Sequence, residues 1–175
     1  YETILNVPAG EILNAYRQVV ASAYTPQAWP YRIRRGYQEH EMAMAVGFQL
    51  MVKTEASGAM YTYAPLMAEK DSMVISAAWG LGTAVVQGLA ESDTLVLDRT
   101  PPYRVRSRDI AHKVRMVVPD AKQGTTWTAV PEHLRNAPSL SETQVEQLAQ
   151  AAMTIERYYK RPQDIEWAFD RHGNL

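Results

Sequence analysis

The stretch SETQVEQLAQAAMTIERYYKRPQDIEWAFD, residues 141–170, changes its hydrophobic period once, and that change decides the fold. Ser141 followed three residues later by Gln144 makes a capping box that opens a helix. Val145, Leu148, Ala152, Ile155 and Tyr159 then recur at helical spacing up to Lys160, and Arg161-Pro162 ends the run. From Asp164 to Asp170 the period drops to two. Ile165, Trp167 and Phe169 fall on one face and Asp164 and Glu166 on the other, with about 6.5–7 Å between the two acidic Cα atoms. An amphipathic helix feeding a one-faced strand predicts a helix packed on a sheet.

The same reading extends upstream. Residues 10–24 carry Ile12, Tyr16, Val19, Val20 and Ala23 at helical spacing. Thr25-Pro26 looks like the start of a second helix, with Arg32, Arg34 and Arg35, stopping at Gly36. Met42, Met44, Val46, Phe48, Leu50 and Val52 alternate with Ala43, Ala45, Gly47, Gln49 and Met51, which predicts a strand over 42–52 with one bulky and one bare face. It is expected to pair as a hairpin with a strand over 59–63. Further strands are expected over 73–79, 95–98, 103–107, 113–118 and 125–130, with a short helix through Val86. The fold class is α+β (mixed α/β), an antiparallel-rich sheet with packed helices. Residues 1–40 form a helical segment and 41–175 a sheet-and-helix core.

Composition narrows the functions. The 175 residues hold 18 Lys and Arg against 19 Asp and Glu, a formal charge of -1, so no global basic field draws in nucleic acid or an anionic membrane. The absence of cysteine excludes a disulfide, a thiolate metal site and a cysteine nucleophile. No apolar run approaches the ~18 residues of a membrane span, and the first residues do not show a basic stretch followed by an apolar one. A cytoplasmic protein without nucleic-acid or membrane partners is expected. The chain begins at Tyr1 and stops at Leu175, and both ends read as cuts through a longer protein.

Four groups of residues bear on chemistry. Asp164 and Glu166 present two hard oxygen donors on the open face of a strand, a cradle suited to Mg²⁺; spacing alone more often means a solvated edge strand. Gln49 is the one hydrogen-bonding side chain on its bare face, fit for the edge of a flat ligand, although such an amide is more often satisfied by neighbouring backbone. Gly80-Leu81-Gly82 has part of a phosphate-loop pattern, but a close-packed turn is the commoner reading. Arg104, Arg106 and Arg108 alternate along one face, where an edge protected by charge is the ordinary explanation. His40, His112, His133 and His172 show no metal spacing.

The order of the motifs says more than any one of them. Glu2-Thr3-Ile4-Leu5-Asn6-Val7, Tyr31-Arg32, Gln49-Leu50-Met51-Val52, Ser57-Gly58-Ala59-Met60-Tyr61 and Ser76-Ala77-Ala78-Trp79-Gly80-Leu81-Gly82 are followed by Lys113-Val114-Arg115-Met116-Val117. Arg161-Pro162-Gln163-Asp164-Ile165-Glu166-Trp167-Ala168 closes the series. Together they resemble the N-terminal nucleotide-binding domain of the phosphoenolpyruvate synthase (pyruvate, water dikinase) family. Pyruvate phosphate dikinase and the rifamycin phosphotransferases are related families. The resemblance implies part of a single ATP-grasp domain spanning 1–175, incomplete at both ends, with ATP and Mg²⁺ as cofactors. It implies that Gln49, Leu50, Met51 and Val52 hold the adenine and that Asp164 and Glu166 hold the metal. It implies phosphoryl transfer to a histidine on a separate domain, which delivers it to pyruvate on another, in a gluconeogenic enzyme. No catalytic residue falls within this chain, and the chain by itself is expected to be inactive. Another dikinase-type phosphotransferase and a non-catalytic module of the same fold are the alternatives. A sheet edge left open predicts self-association into a homodimer.

Overall fold

A computed structural model describes residues 1–38, 43–64, 71–86 and 88–175. They form two compact units, residues 1–51 with 119–125 and residues 52–118 with 126–175. Among the described residues no helix is long and apolar enough to cross a membrane.

In the first unit α1 (Ile12–Ala21) runs between two 3-10 turns, Ala9–Glu11 and Ser22–Tyr24, and α2 (Ala28–Arg34) follows. The Thr25 hydroxyl accepts from the Ala28 N–H at 3.4 Å, but α2 starts at Ala28, with Gln27 at the N-cap position and no side-chain cap, later than Thr25-Pro26 suggests. Arg32 on α2 is buried, lies 5.0 Å from the Tyr24 ring and 5.4 Å from the Trp29 ring, and donates to the Ala23 carbonyl.

The second unit is built on a five-stranded sheet with strand order β4-β3-β2-β1-β7. Its strands are β1 (Thr54–Tyr61), β2 (Ser72–Trp79), β3 (Asp93–Asp98), β4 (Val105–Asp109) and β7 (Asp164–Asp170). Every neighbouring pair is antiparallel. Strands β5 (Arg115–Pro119) and β6 (Thr125–Ala129) form a separate two-stranded sheet, and α3 (Thr83–Val86) and α4 (Glu142–Tyr159) complete the elements. The mixed α/β class with antiparallel sheets is therefore as expected.

One face of the large sheet is the core. Met60, Met73, Ile75, Leu95, Leu97, Trp167 and Phe169 pack with Val145, Leu148, Ala149 and Ala152 of α4. The capping box is formed as the sequence predicts: Ser141 Oγ accepts from the Gln144 N–H and the Gln144 side chain accepts from the Ser141 N–H. The apolar stripe of α4 ends sooner than its spacing suggests, since Tyr159 is exposed. Lys160 in the left-handed region, φ +56°, stops the helix.

The expected strand over 42–52 does not form. Met42 lies outside the described residues, and 43–53 have no regular secondary structure. Half of the bulky set is uncovered, with Phe48, Leu50 and Val52 64%, 92% and 46% exposed, while Met44 and Val46 are half-buried. An alternating pattern becomes a strand only where a ladder satisfies its backbone and a layer covers its apolar face. The bare side, Ala43, Ala45 and Gly47, adds little packing to favour one. The expected hairpin fails with it: β1 starts at Thr54 and pairs with β2 and β7.

Candidate functional site

The alternation in β1 decides which face each residue takes. Ala56 and Met60 belong to the core, so Ser57, Ala59 and Tyr61 point to the other, open face. Opposite them on β7 stand Ala168, Glu166 and Asp164 respectively. On the other flank Ala59 pairs with Ser76 of β2, and Ser76 with Thr94 of β3. The accessible part of this face is thus a shallow, half-buried row of Ala59, Ser76 and Thr94, between buried Ser57 and Ala78 on one side and buried Val74 and Val96 on the other, and bordered along the β7 edge by two carboxylates.

Asp164 and Glu166 lie as the sequence predicts, exposed on one face of β7, with Trp167 and Phe169 buried behind them and Ile165 packed against the core. Among the described residues neither carboxylate has a hydrogen bond or ion pair. Several other acidic groups are engaged. Asp98 pairs with Arg106, Glu142 with Arg108, and Asp71 and Glu156 with Arg99. No group of three or more His, Cys, Asp or Glu side chains suited to a metal occurs among the described residues. At the far end of β7 the Asp170 carboxylate accepts from the Asn174 side chain, then from the backbone N–H groups of Asn174 and His172. These bonds hold its carboxyl below the usual carboxylate range.

The other expected site residues are placed differently. Gln49 and Leu50 are exposed and Met51 is half-buried in the first unit, while Val52 opens the second. They lie in the irregular stretch and not on a strand face.

The Gly80-Leu81-Gly82 turn is close-packed, and its N–H groups are largely engaged. The Gly80 N–H donates to the Glu55 carbonyl and the Leu81 N–H to the Val117 carbonyl, both at 2.8 Å. Gly80 has φ +78°, and a Cβ there would lie 2.4 Å from the Val117 oxygen, so glycine is required. The alternating arginines are also mainly structural. Arg106 and Arg108 hold Asp98 and Glu142 beside the edge strand β4.

Sequence reasoning missed two features. Lys113 is buried and donates to a buried Asp93, which also accepts from the N–H groups of Ala111 and Ser139 and from the Ser139 hydroxyl. The small-residue floor was legible in the alternation of Val74, Ser76 and Ala78 with Met73, Ile75 and Ala77.

Comparison with known proteins identifies the family. The family described as "Pyruvate phosphate dikinase, AMP/ATP-binding domain" matches residues 1–175. The chain belongs to that family. It is 34% identical to the "Probable phosphoenolpyruvate synthase" of Methanocaldococcus jannaschii over 171 residues, 97% of this chain and 14% of that protein. It is 36% identical to the "Phosphoenolpyruvate synthase" of Escherichia coli K12 over 184 residues, 98% of this chain and 23% of that protein. Similarity extends to the "Prodigiosin synthesizing transferase PigC" of Serratia marcescens, 34% over 169 residues, 96% of this chain and 19% of that protein. The chain therefore spans less than a quarter of these relatives, within the AMP/ATP-binding domain of the dikinase family.

Proposed function

We propose that this member of the AMP/ATP-binding dikinase family binds Mg²⁺–ATP across the open face of the large sheet, as the nucleotide portion of a phosphoenolpyruvate synthase. The supporting observation is the pair Asp164 and Glu166, two carboxylates on one strand face that are engaged by no other group among the described residues. Their donor chemistry fits Mg²⁺. This cation takes few protein carboxylates and fills its shell with water and substrate phosphates, so two oxygens from this chain and no third acidic ligand are what such a site requires. When bound, the metal neutralises charge on the phosphates during transfer.

The chain's own residues bind and orient. The floor of Ala59, Ser76 and Thr94 gives a flat surface without bulky side chains. Trp167, Phe169 and Ile165 lock the backbone of β7, so the two carboxylates stand on a rigid element. Gln49, Leu50, Met51 and Val52 supply the adenine contacts, an assignment that rests on the family resemblance. Residues 1–175 act together as part of one ATP-grasp-type domain. Phosphoryl transfer to a histidine and delivery to pyruvate belong to further domains of a larger cytoplasmic, gluconeogenic enzyme, with a homodimer as its assembly. Similarity to the PigC transferase favours a second reading, a dikinase-type phosphotransferase with a different acceptor.

The test is calorimetric titration of the chain with a non-hydrolysable ATP analogue, with and without Mg²⁺. Binding that requires Mg²⁺ supports the proposal. Equal binding without the metal refutes the role given to Asp164 and Glu166.

A further inference from the structure

We infer that Ser57 is a positioning residue for the nucleotide site, acting as the latch that holds the Gly80–Gly82 turn on the open face beside Glu166. The inference deepens the nucleotide reading above and rests on it. Ser57 is 3% exposed, and its hydroxyl donates to the buried Gly80 carbonyl at 2.5 Å. Gly82 lies over the same side chain: a Cβ on Gly82 would sit 3.2 Å from Ser57 Oγ and 3.6 Å from the Gly58 nitrogen. The turn is therefore seated on the open side of β1, with α3 following it over β1 and β2. Ser57 pairs with Ala168, and the next open-face pair along the same strands is Ala59 with Glu166. The turn thus walls one end of the floor, one strand step of about 7 Å from the row that carries Glu166.

Two backbone bonds also hold the turn, from the Leu81 N–H to the Val117 carbonyl and from the Gly80 N–H to the Glu55 carbonyl of β1. Among the described residues, the Ser57 hydroxyl is the side chain that bonds the turn to β1. Removing that hydroxyl leaves the Gly80 carbonyl buried and short of its donor, a state that favours local opening of the turn. The wall then moves while the core face, built on Met60, Ile75 and α4, keeps its contacts. Ser57 does not touch the nucleotide in this account; it fixes the shape against which the nucleotide lies.

The experiment compares the chain with Ser57→Ala and Ser57→Thr variants by amide hydrogen exchange and by titration with the Mg²⁺-bound, non-hydrolysable ATP analogue. In Ser57→Ala the amides of Leu81, Val85 and Val86 exchange faster and the analogue binds about tenfold more weakly, the scale of one lost hydrogen bond. The amides of β3 keep their protection, and Ser57→Thr, which retains the hydroxyl, restores both readouts. Unchanged exchange in the turn of Ser57→Ala overturns the latch. Faster exchange with unchanged affinity overturns the positioning role, as does a Ser57→Thr variant that behaves like alanine. A wild-type chain that does not bind the analogue overturns the nucleotide reading and the positioning role together. The latch is then still judged by exchange alone.

Discussion

Gly58→Ala is the sharpest perturbation that the sheet offers. Gly58 lies on β1 between two ladders, opposite Ala77 of β2 and Trp167 of β7. A Cβ built there would lie 1.8 Å from the Ser76 carbonyl oxygen, 2.8 Å from its carbon and 3.0 Å from Cζ2 of Trp167. Real Cβ atoms essentially never approach within 3.0 Å, so the backbones of β1 and β2 must separate by more than an ångström. Movement away from β2 drives the strand toward β7. Overpacking of a core costs about 1–3 kcal/mol, and contact with backbone on one side and a buried ring on the other places this case near 3 kcal/mol. For a protein of this length that corresponds to a fall in Tm of about 6–12 °C. Thermal unfolding followed by circular dichroism measures it, with Gly47→Ala as the control, since a Cβ at Gly47 meets nothing within 4 Å. A Gly58→Ala variant that melts within about 2 °C of the parent would refute the packing argument.

Other outcomes follow from single contacts. Asp93→Ala leaves Lys113 buried without its counter-charge and Ser139 without its acceptor, so urea unfolding should show a loss of about 3–5 kcal/mol. Ser141→Ala removes one half of the capping box on α4 and should cost about 1 kcal/mol in the same assay. Asn174→Ala should raise the Asp170 titration toward the ordinary carboxylate value, read by NMR. Because the folded carboxyl titrates below the unfolded one, its stabilisation is present above the unfolded value and is lost as pH falls through the folded value. Glu166→Gln should leave Tm within about 2 °C, as befits an exposed side chain.

Much of this fold was legible because its signals are local. The capping box of α4 and the alternation of β7 each need fewer than ten residues to be read, and both appear with the predicted boundaries within a residue or two. The orientation of Asp164 and Glu166 followed from the same alternation. What could not be read depends on partners distant in sequence. The 42–52 pattern is as regular as that of β7, but β7 finds a ladder on β1 and a cover in α4, whereas 43–53 lie outside both sheets. Lys113 sits among residues that alternate as a basic strand. Its burial is decided by Asp93, twenty positions away. The bond of Ser57 could not be read because its partner, Gly80, comes 23 positions later. Glycine at 80 was visible as a turn, and only the Val117 carbonyl beside it tells a packed turn from a phosphate loop.

The open face at Asp164 and Glu166 is proposed to receive the metal–nucleotide complex. The most direct test places a paramagnetic ion there: NMR of the isotopically labelled chain with a non-hydrolysable ATP analogue and Mn²⁺ in place of Mg²⁺. Line broadening should centre on the amides of Asp164–Trp167 and on Ala59, with the solvent side of α4 spared, and that pattern should be lost in Glu166→Gln. Broadening centred elsewhere in the chain, with the β7 amides sharp, would contradict it.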